Sequence, residues 1–200
     1  MVKKTKKENV KNNKGLLGDH RYKICVSGAA DMSCCSPNIK ELGETLGREI
    51  AKQGCVLLTG ATTGVPYWAT KGAKSVGGVS IGFSPAGSKR EHVSTYKLPT
   101  EYCDLIVYTG FDYVGRDLIL TKAADGMIIA CGRTGTLHEF TVAFESKTPV
   151  GVLRGSGGPA ELAPGGSRMT SAGTAKCPSR PPTTCGNWTG WSVRPRLLRT

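Results

Sequence analysis

The 200-residue chain has no apolar run approaching the roughly 18 residues that a membrane helix needs, which excludes a spanning segment. It shows no self-similarity at the roughly 20–50-residue period of a solenoid. It has no C-x-x-C pair, and its three histidines (His20, His92, His138) are scattered. The spacings of a zinc site are therefore missing, and no metal is expected. The Lys- and Asn-rich start, Met1 to Lys14, is not followed by the apolar stretch of a secretory signal. It also lacks Arg and contains Glu8, unlike a mitochondrial presequence.

Charge is present but unevenly placed. The formal net charge is +12, yet residues 24–153 hold twelve basic and twelve acidic side chains. Residues 1–23 hold eight basic and two acidic, and residues 154–200 seven and one. A nucleic-acid-binding domain carries its basic patch on the folded body. The distribution instead describes solvated ends around a neutral domain and argues against a nucleic-acid partner; contact of the basic start with RNA or lipid is the lesser alternative. Eight cysteines are present. Cys25, Cys55 and Cys131 lie in or beside apolar runs, where Cys acts as a small hydrophobe. Cys34 and Cys35 are adjacent. The expectation is reduced thiols and a cytoplasmic location.

From residue 22 the pattern becomes regular. Apolar runs at Tyr22–Ser27, Cys55–Thr59, Val79–Ser84, Asp104–Tyr108, Gly126–Cys131 and Pro149–Leu153 read as six strands. Helices are expected after Ser36-Pro37 (with Ser36 as cap, closing at Gly54), over Val65–Val76 with Ala69 and Ala73 on a packed face, over Tyr113–Ala124 and over Thr136–Ser146. Residues 86–103 read as polar and irregular. Strands that are continuous apolar runs, alternating with helices, predict a Rossmann-like three-layer α/β/α sandwich with a mostly parallel sheet. Ligands then bind beyond the carboxyl ends of the strands, where the turns containing Gly28 and Gly60 to Gly64 and the loop after Cys131 fall.

The expected organisation is a basic arm (1–20), a nucleotide-binding domain (21–158) and a tail (159–200). In the tail the alternation stops, Pro, Gly, Ser and Thr abound, and Arg replaces Lys. Disorder explains that composition; a frameshifted gene end explains it better, and no function is sought there.

The segment Cys131-Gly132-Arg133-Thr134-Gly135-Thr136-Leu137-His138-Glu139 joins a strand to a helix. Its backbone N–H groups and the helix dipole suit an anion. A plain turn capped by Thr136 is the competing reading. This segment resembles the P-G-G-x-G-T-x-x-E motif of the LOG (lonely-guy) phosphoribohydrolases. Arg116, 23 positions before Glu139 in Gly115-Arg116-Asp117-Leu118, resembles that family's helical Arg. The Gly60–Gly64 turn and Gly77–Pro85 extend the likeness to about residues 22–158. Cys131 and Arg133 replace the motif's Pro and second Gly, and Val114-Gly115-Arg116 replaces M-H-E-R-K, which marks a divergent relative.

The resemblance implies a Rossmann-like homodimer that cleaves a nucleoside 5′-monophosphate to a base and ribose 5-phosphate. Arg116 and Glu139 become the expected catalytic residues, with Glu139 facing the oxocarbenium-like sugar. The expected phosphate or nucleotide contacts are Gly28, Gly60, Thr63, Gly64, Gly132, Arg133, Thr134, Gly135 and Thr136. Ser27 and Asp31 are weaker contacts to base or ribose, and His138 is structural. No resident cofactor is expected. Some divergent relatives resemble molybdenum cofactor carriers, so the alternative is a non-catalytic binder of a nucleotide-like ligand, with molybdenum cofactor as cargo. The competing reading of Arg116 and Glu139 is a purely structural ion pair.

Overall fold

The computed structural model describes residues 21–161. The expected arm and nearly all of the expected tail lie outside the described residues.

Six parallel strands form one sheet: β1 (Lys23–Gly28), β2 (Val56–Thr59), β3 (Ser80–Ser84), β4 (Leu105–Tyr108), β5 (Gly126–Ala130) and β6 (Val150–Leu153). Their order is β4-β3-β2-β1-β5-β6. Five helices connect them: α1 (Ile39–Lys52), α2 (Val65–Lys74), α3 (Lys89–Ser94), α4 (Asp112–Ala123) and α5 (Thr134–Glu145). This is the expected Rossmann-like α/β fold. The chain runs outward from β1 to β4, then returns to place β5 on the other side of β1. Ile24 pairs with Leu57 on one side and Gly126 on the other. The order reverses between β1 and β5, and at such a switch point the connecting loops diverge and leave a crevice.

Side chains alternate across the sheet. Ile24, Val26, Leu57 and Ile128 pack with Leu46 and Ile50 of α1 and with Val65, Ala69 and Ala73 of α2. Cys25, Leu58, Met127, Ile129 and Val152 face Leu120 of α4 and Ala143 of α5. Both faces are covered, which is why the strands lack a polar side. The first two helices lie unusually close. A Cβ on Gly47 would stand 1.8 Å from the Ala69 carbonyl oxygen, and one on Gly72 would stand 1.9 Å from that of Glu44.

Several boundaries differ from expectation. Ser36 does not cap α1: the backbone N–H of Ser36 donates to the Ser156 carbonyl at 2.9 Å, which ties it to the loop after β6, and the helix starts at Ile39. The supposedly irregular 86–103 region contains α3. Ser88 caps this helix by accepting from the Glu91 N–H, while the Glu91 carboxylate accepts from the Gly87 N–H at 2.7 Å. Helix α5 starts at Thr134, with Arg133 rather than Thr136 at the N-cap position. After β6 a short 3-10 helix spans Gly158–Glu161, and Ala160 is buried in the cluster under α4 and α5.

The reduced-thiol expectation is corrected for one pair. Cys35 and Cys131 form a disulfide across 96 residues of sequence. The loop after β1 and the end of β5 are adjacent only because β1 and β5 are neighbours, which no sequence spacing reveals. Among the described residues no helix is long and apolar enough to cross a membrane.

Candidate functional site

At the carboxyl ends of β1 and β5 lies a cavity of about 370 Å³, within the range of small-molecule sites. The loop after β5 sets one wall. Cys131 has φ +59° and Gly132 φ +111°, so the chain turns sharply into α5. A proline fixes φ near −65°. The Cys131 backbone is therefore one that the proline of the resembled motif would not adopt, and the loop departs from that motif in geometry as well as sequence.

The first turn of α5 carries no acidic residue, and its N-cap side chain makes no cap bond. Helix geometry leaves the amides of Thr134, Gly135 and Thr136 without intrahelical acceptors. These amides and the helix dipole favour an anion. Gly135 and Thr136 line the cavity. Arg133 lines it too, and its Nη1 donates to Asp31 Oδ2 at 2.6 Å, forming an exposed bridge between the loops after β5 and β1. The Asp31 carboxyl is held below its ordinary range, chiefly by the Ser33 N–H.

The floor is ionic and buried. Glu139, Arg116 and Asp117 are each about 5% exposed or less. Arg116 Nη1 stands 3.1 Å from Glu139 Oε1 and 3.2 Å from Asp117 Oδ1. Ser27, at the end of β1, donates its hydroxyl to Glu139 Oε2. Asp117 Oδ2 also meets His138 Nδ1 at 3.0 Å. Burial raises the Glu139 carboxyl to about 7, with Arg116 opposing and Asp117 reinforcing the shift. Arg116 Nε is buried without a hydrogen-bond partner. Gly60 makes room for this guanidinium, since a Cβ there would lie 2.2 Å from Arg116 Nη1.

Of the residues expected from sequence, Gly28, Gly60, Arg116, Arg133, Gly135, Thr136 and Glu139 all line the cavity. So do the weaker candidates Ser27 and Asp31. Thr63, Gly64, Gly132 and Thr134 are not among the lining residues. Thr63 donates to the Ala30 carbonyl, and Gly64 packs on Ala29 and Ala30. Thr62 lines the cavity in their place. Sequence reasoning also gave no role to Asp117 and Tyr113. The Arg116-Asp117 dipeptide was the available signal for the first. Tyr113 lies one helical turn before Arg116, 5.6 Å under its guanidinium.

A family model described as the SLOG cluster4 family matches residues 21–175. An uncharacterized protein of Archaeoglobus fulgidus is 28% identical over 131 residues, spanning 66% of this chain and 79% of its own. The X-ray structure of TM1055 is similar at 28% identity with a TM-score of 0.62, covering 70% of this chain and 79% of its own. The Moco carrier protein from Chlamydomonas reinhardtii is 30% identical with a TM-score of 0.59, covering 72% and 82%.

Proposed function

The chain belongs to the SLOG cluster4 family, and from that premise we propose that its cavity binds a nucleotide-like ligand by the phosphate and hydrolyses the N-glycosidic bond of a nucleoside 5′-monophosphate. The carrying observation is the juxtaposition of an uncapped α5 N-terminus with a buried carboxylate in one cavity. The phosphate rests on the amides of the first turn of α5, beside Arg133. Gly28 and Gly60 line the seat, Gly28 packed on Val65 and Ala130 and Gly60 giving its space to the Arg116 guanidinium. Glu139, next to the sugar, opposes the positive charge that develops as the bond to the base breaks, and takes a proton from the attacking water. Arg116 and Ser27 fix the orientation of that carboxylate. The free Arg116 Nε supplies a further donor to the ligand.

A panel of nucleoside 5′-monophosphates, assayed for ribose 5-phosphate, tests this. Release that Glu139→Gln lowers about 10²- to 10⁴-fold, the usual contribution of a general base, supports hydrolysis.

A second reading is favoured by the likeness to the Chlamydomonas Moco carrier protein. The same phosphate seat retains molybdenum cofactor as cargo, and the Arg133–Asp31 bridge spans the mouth above it. Ligand-induced thermal stabilisation without release of ribose 5-phosphate assigns this fate.

On either reading the partner is a second copy of the chain. Helices α4 and α5 expose Val114 (70%), Leu118, Leu137 and Phe144 (69%), with Phe111 just before α4. This is an apolar face on the outer side of α4 and α5, turned away from the buried Arg116, and the implied homodimer buries it.

A further inference from the structure

Three sulfurs converge behind the cavity, and the function proposed above uses none of them. Cys34 and Cys35 lie in the loop between β1 and α1, and Cys131 follows β5. Their sulfur atoms all fall within 4.8 Å of one another. Cys34 is exposed, Cys35 half-buried and Cys131 fully buried.

The backbone around them is fixed from several sides. The Cys131 N–H donates to Ser156 Oγ at 2.7 Å, Ser36 donates to the Ser156 carbonyl, and Ala160 donates to the Cys131 carbonyl at 3.2 Å. Cys35 pairs with Gly157. The loop after β6 thus straps both cysteine-bearing segments together.

Two sulfurs, each ~2.3 Å from one tetrahedral ion, stand ~3.8 Å apart. Cys34 Sγ and Cys131 Sγ stand at 3.9 Å. All three candidate ligands are thiols, a set that selects thiophilic cations over hard ones.

We propose that the reduced chain holds one thiophilic d10 cation, of the zinc(II) or copper(I) class, on Cys34, Cys35 and Cys131, and that the Cys35–Cys131 disulfide is the closed, metal-free form of this site. The exposed side, at Cys34, leaves a further coordination position to water. A dithiol reductant opens the site: the disulfide gains two electrons and two protons, and the reductant becomes a disulfide. Binding of the cation then releases three thiol protons. The metal site uses none of the residues proposed to hold the phosphate, so it stands or falls apart from the proposed hydrolysis.

Cobalt(II) titration tests the proposal, because the sulfur-to-cobalt charge-transfer band grows with the number of thiolates. The full chain carries Cys177→Ser and Cys185→Ser, so that the two cysteines beyond the described residues add no ligands. It is reduced, freed of reductant and titrated without oxygen. The expected result is saturation at one ion per chain, full displacement by zinc(II), and no band in the disulfide form. Cys34→Ser, at an exposed position, loses about a third of the band or more, as one ligand of three is removed. The absence of a saturable band in the reduced chain overturns the proposal. So does a band that is undiminished in Cys34→Ser or equally strong in the disulfide form.

Discussion

Glu139 sits where burial disfavours its charge and Arg116 favours it, and burial prevails, leaving the carboxyl near 7. A general base must be deprotonated. Hydrolysis should therefore rise with pH, with its midpoint near 7, and level off above. Stability moves the other way. The folded state prefers the protonated carboxyl more than the unfolded chain does. This contribution is complete below the ordinary value of 4.5 and is lost as pH rises through about 7. Melting temperatures of the wild type should fall over that window by more than those of Glu139→Gln. Equal slopes contradict the assignment.

Gly60 gives a second prediction at this scale. Gly60→Ala pushes a methyl group into Arg116 Nη1 and should disturb the Arg116–Glu139 pair. Ribose 5-phosphate release should drop about tenfold or more, since a misplacement of the order of 1 Å can cost about 10²-fold. Arg116 and Glu139 were legible because the segment Cys131–Glu139 and the helical Arg before it resemble the phosphoribohydrolase pattern. Asp117 and Ser27 were not given their roles. Their partners Glu139 and His138 come from α5, and only the assembled fold selects them.

Helices α1 and α2 meet through glycines rather than through interlocking large side chains. Gly47→Ala places a methyl group against the Ala69 carbonyl, a rigid neighbour. Overpacking of this kind costs about 1–3 kcal/mol, which denaturant unfolding would show as a lower midpoint. The strand and helix order was readable from apolar runs and their punctuation. Helix starts were less so. Ser36 and Thr136 both have capping chemistry, but neighbours outside their own elements decide where the chain turns. The missed α3 is the opposite case. The Ser88-Lys89-Arg90-Glu91 sequence is a capping-box pattern, and the six-residue helix is too short to show periodicity. Ser88→Ala should cost about 1 kcal/mol.

Across the molecule, the sheet order brings the ends of β1 and β5 together, and the loop after β2 and helix α4 add Gly60 and Arg116 to the site they form. That order follows from the run of parallel strands but is not itself written in any one segment. The disulfide between Cys35 and Cys131 is a product of the same adjacency, and for that reason the cysteine spacings misled. The exposed apolar face of α4 and α5 belongs to this scale too. Light scattering should report a dimer, and Val114→Glu, which charges the most exposed apolar side chain of that face, should yield a monomer. A wild-type monomer would refute the dimer.

The central claim is that the ligand is seated by its phosphate at the start of α5. Calorimetric titration of the Glu139→Gln chain tests it most directly, because the ligand then survives the measurement. A nucleoside 5′-monophosphate should bind at least about tenfold more tightly than the matching nucleoside, a difference of ~1.4 kcal/mol. Arg133→Ala should narrow that gap. Equal affinities for the two, a gap that the loss of Arg133 leaves unchanged, or no heat from either ligand would each contradict the account.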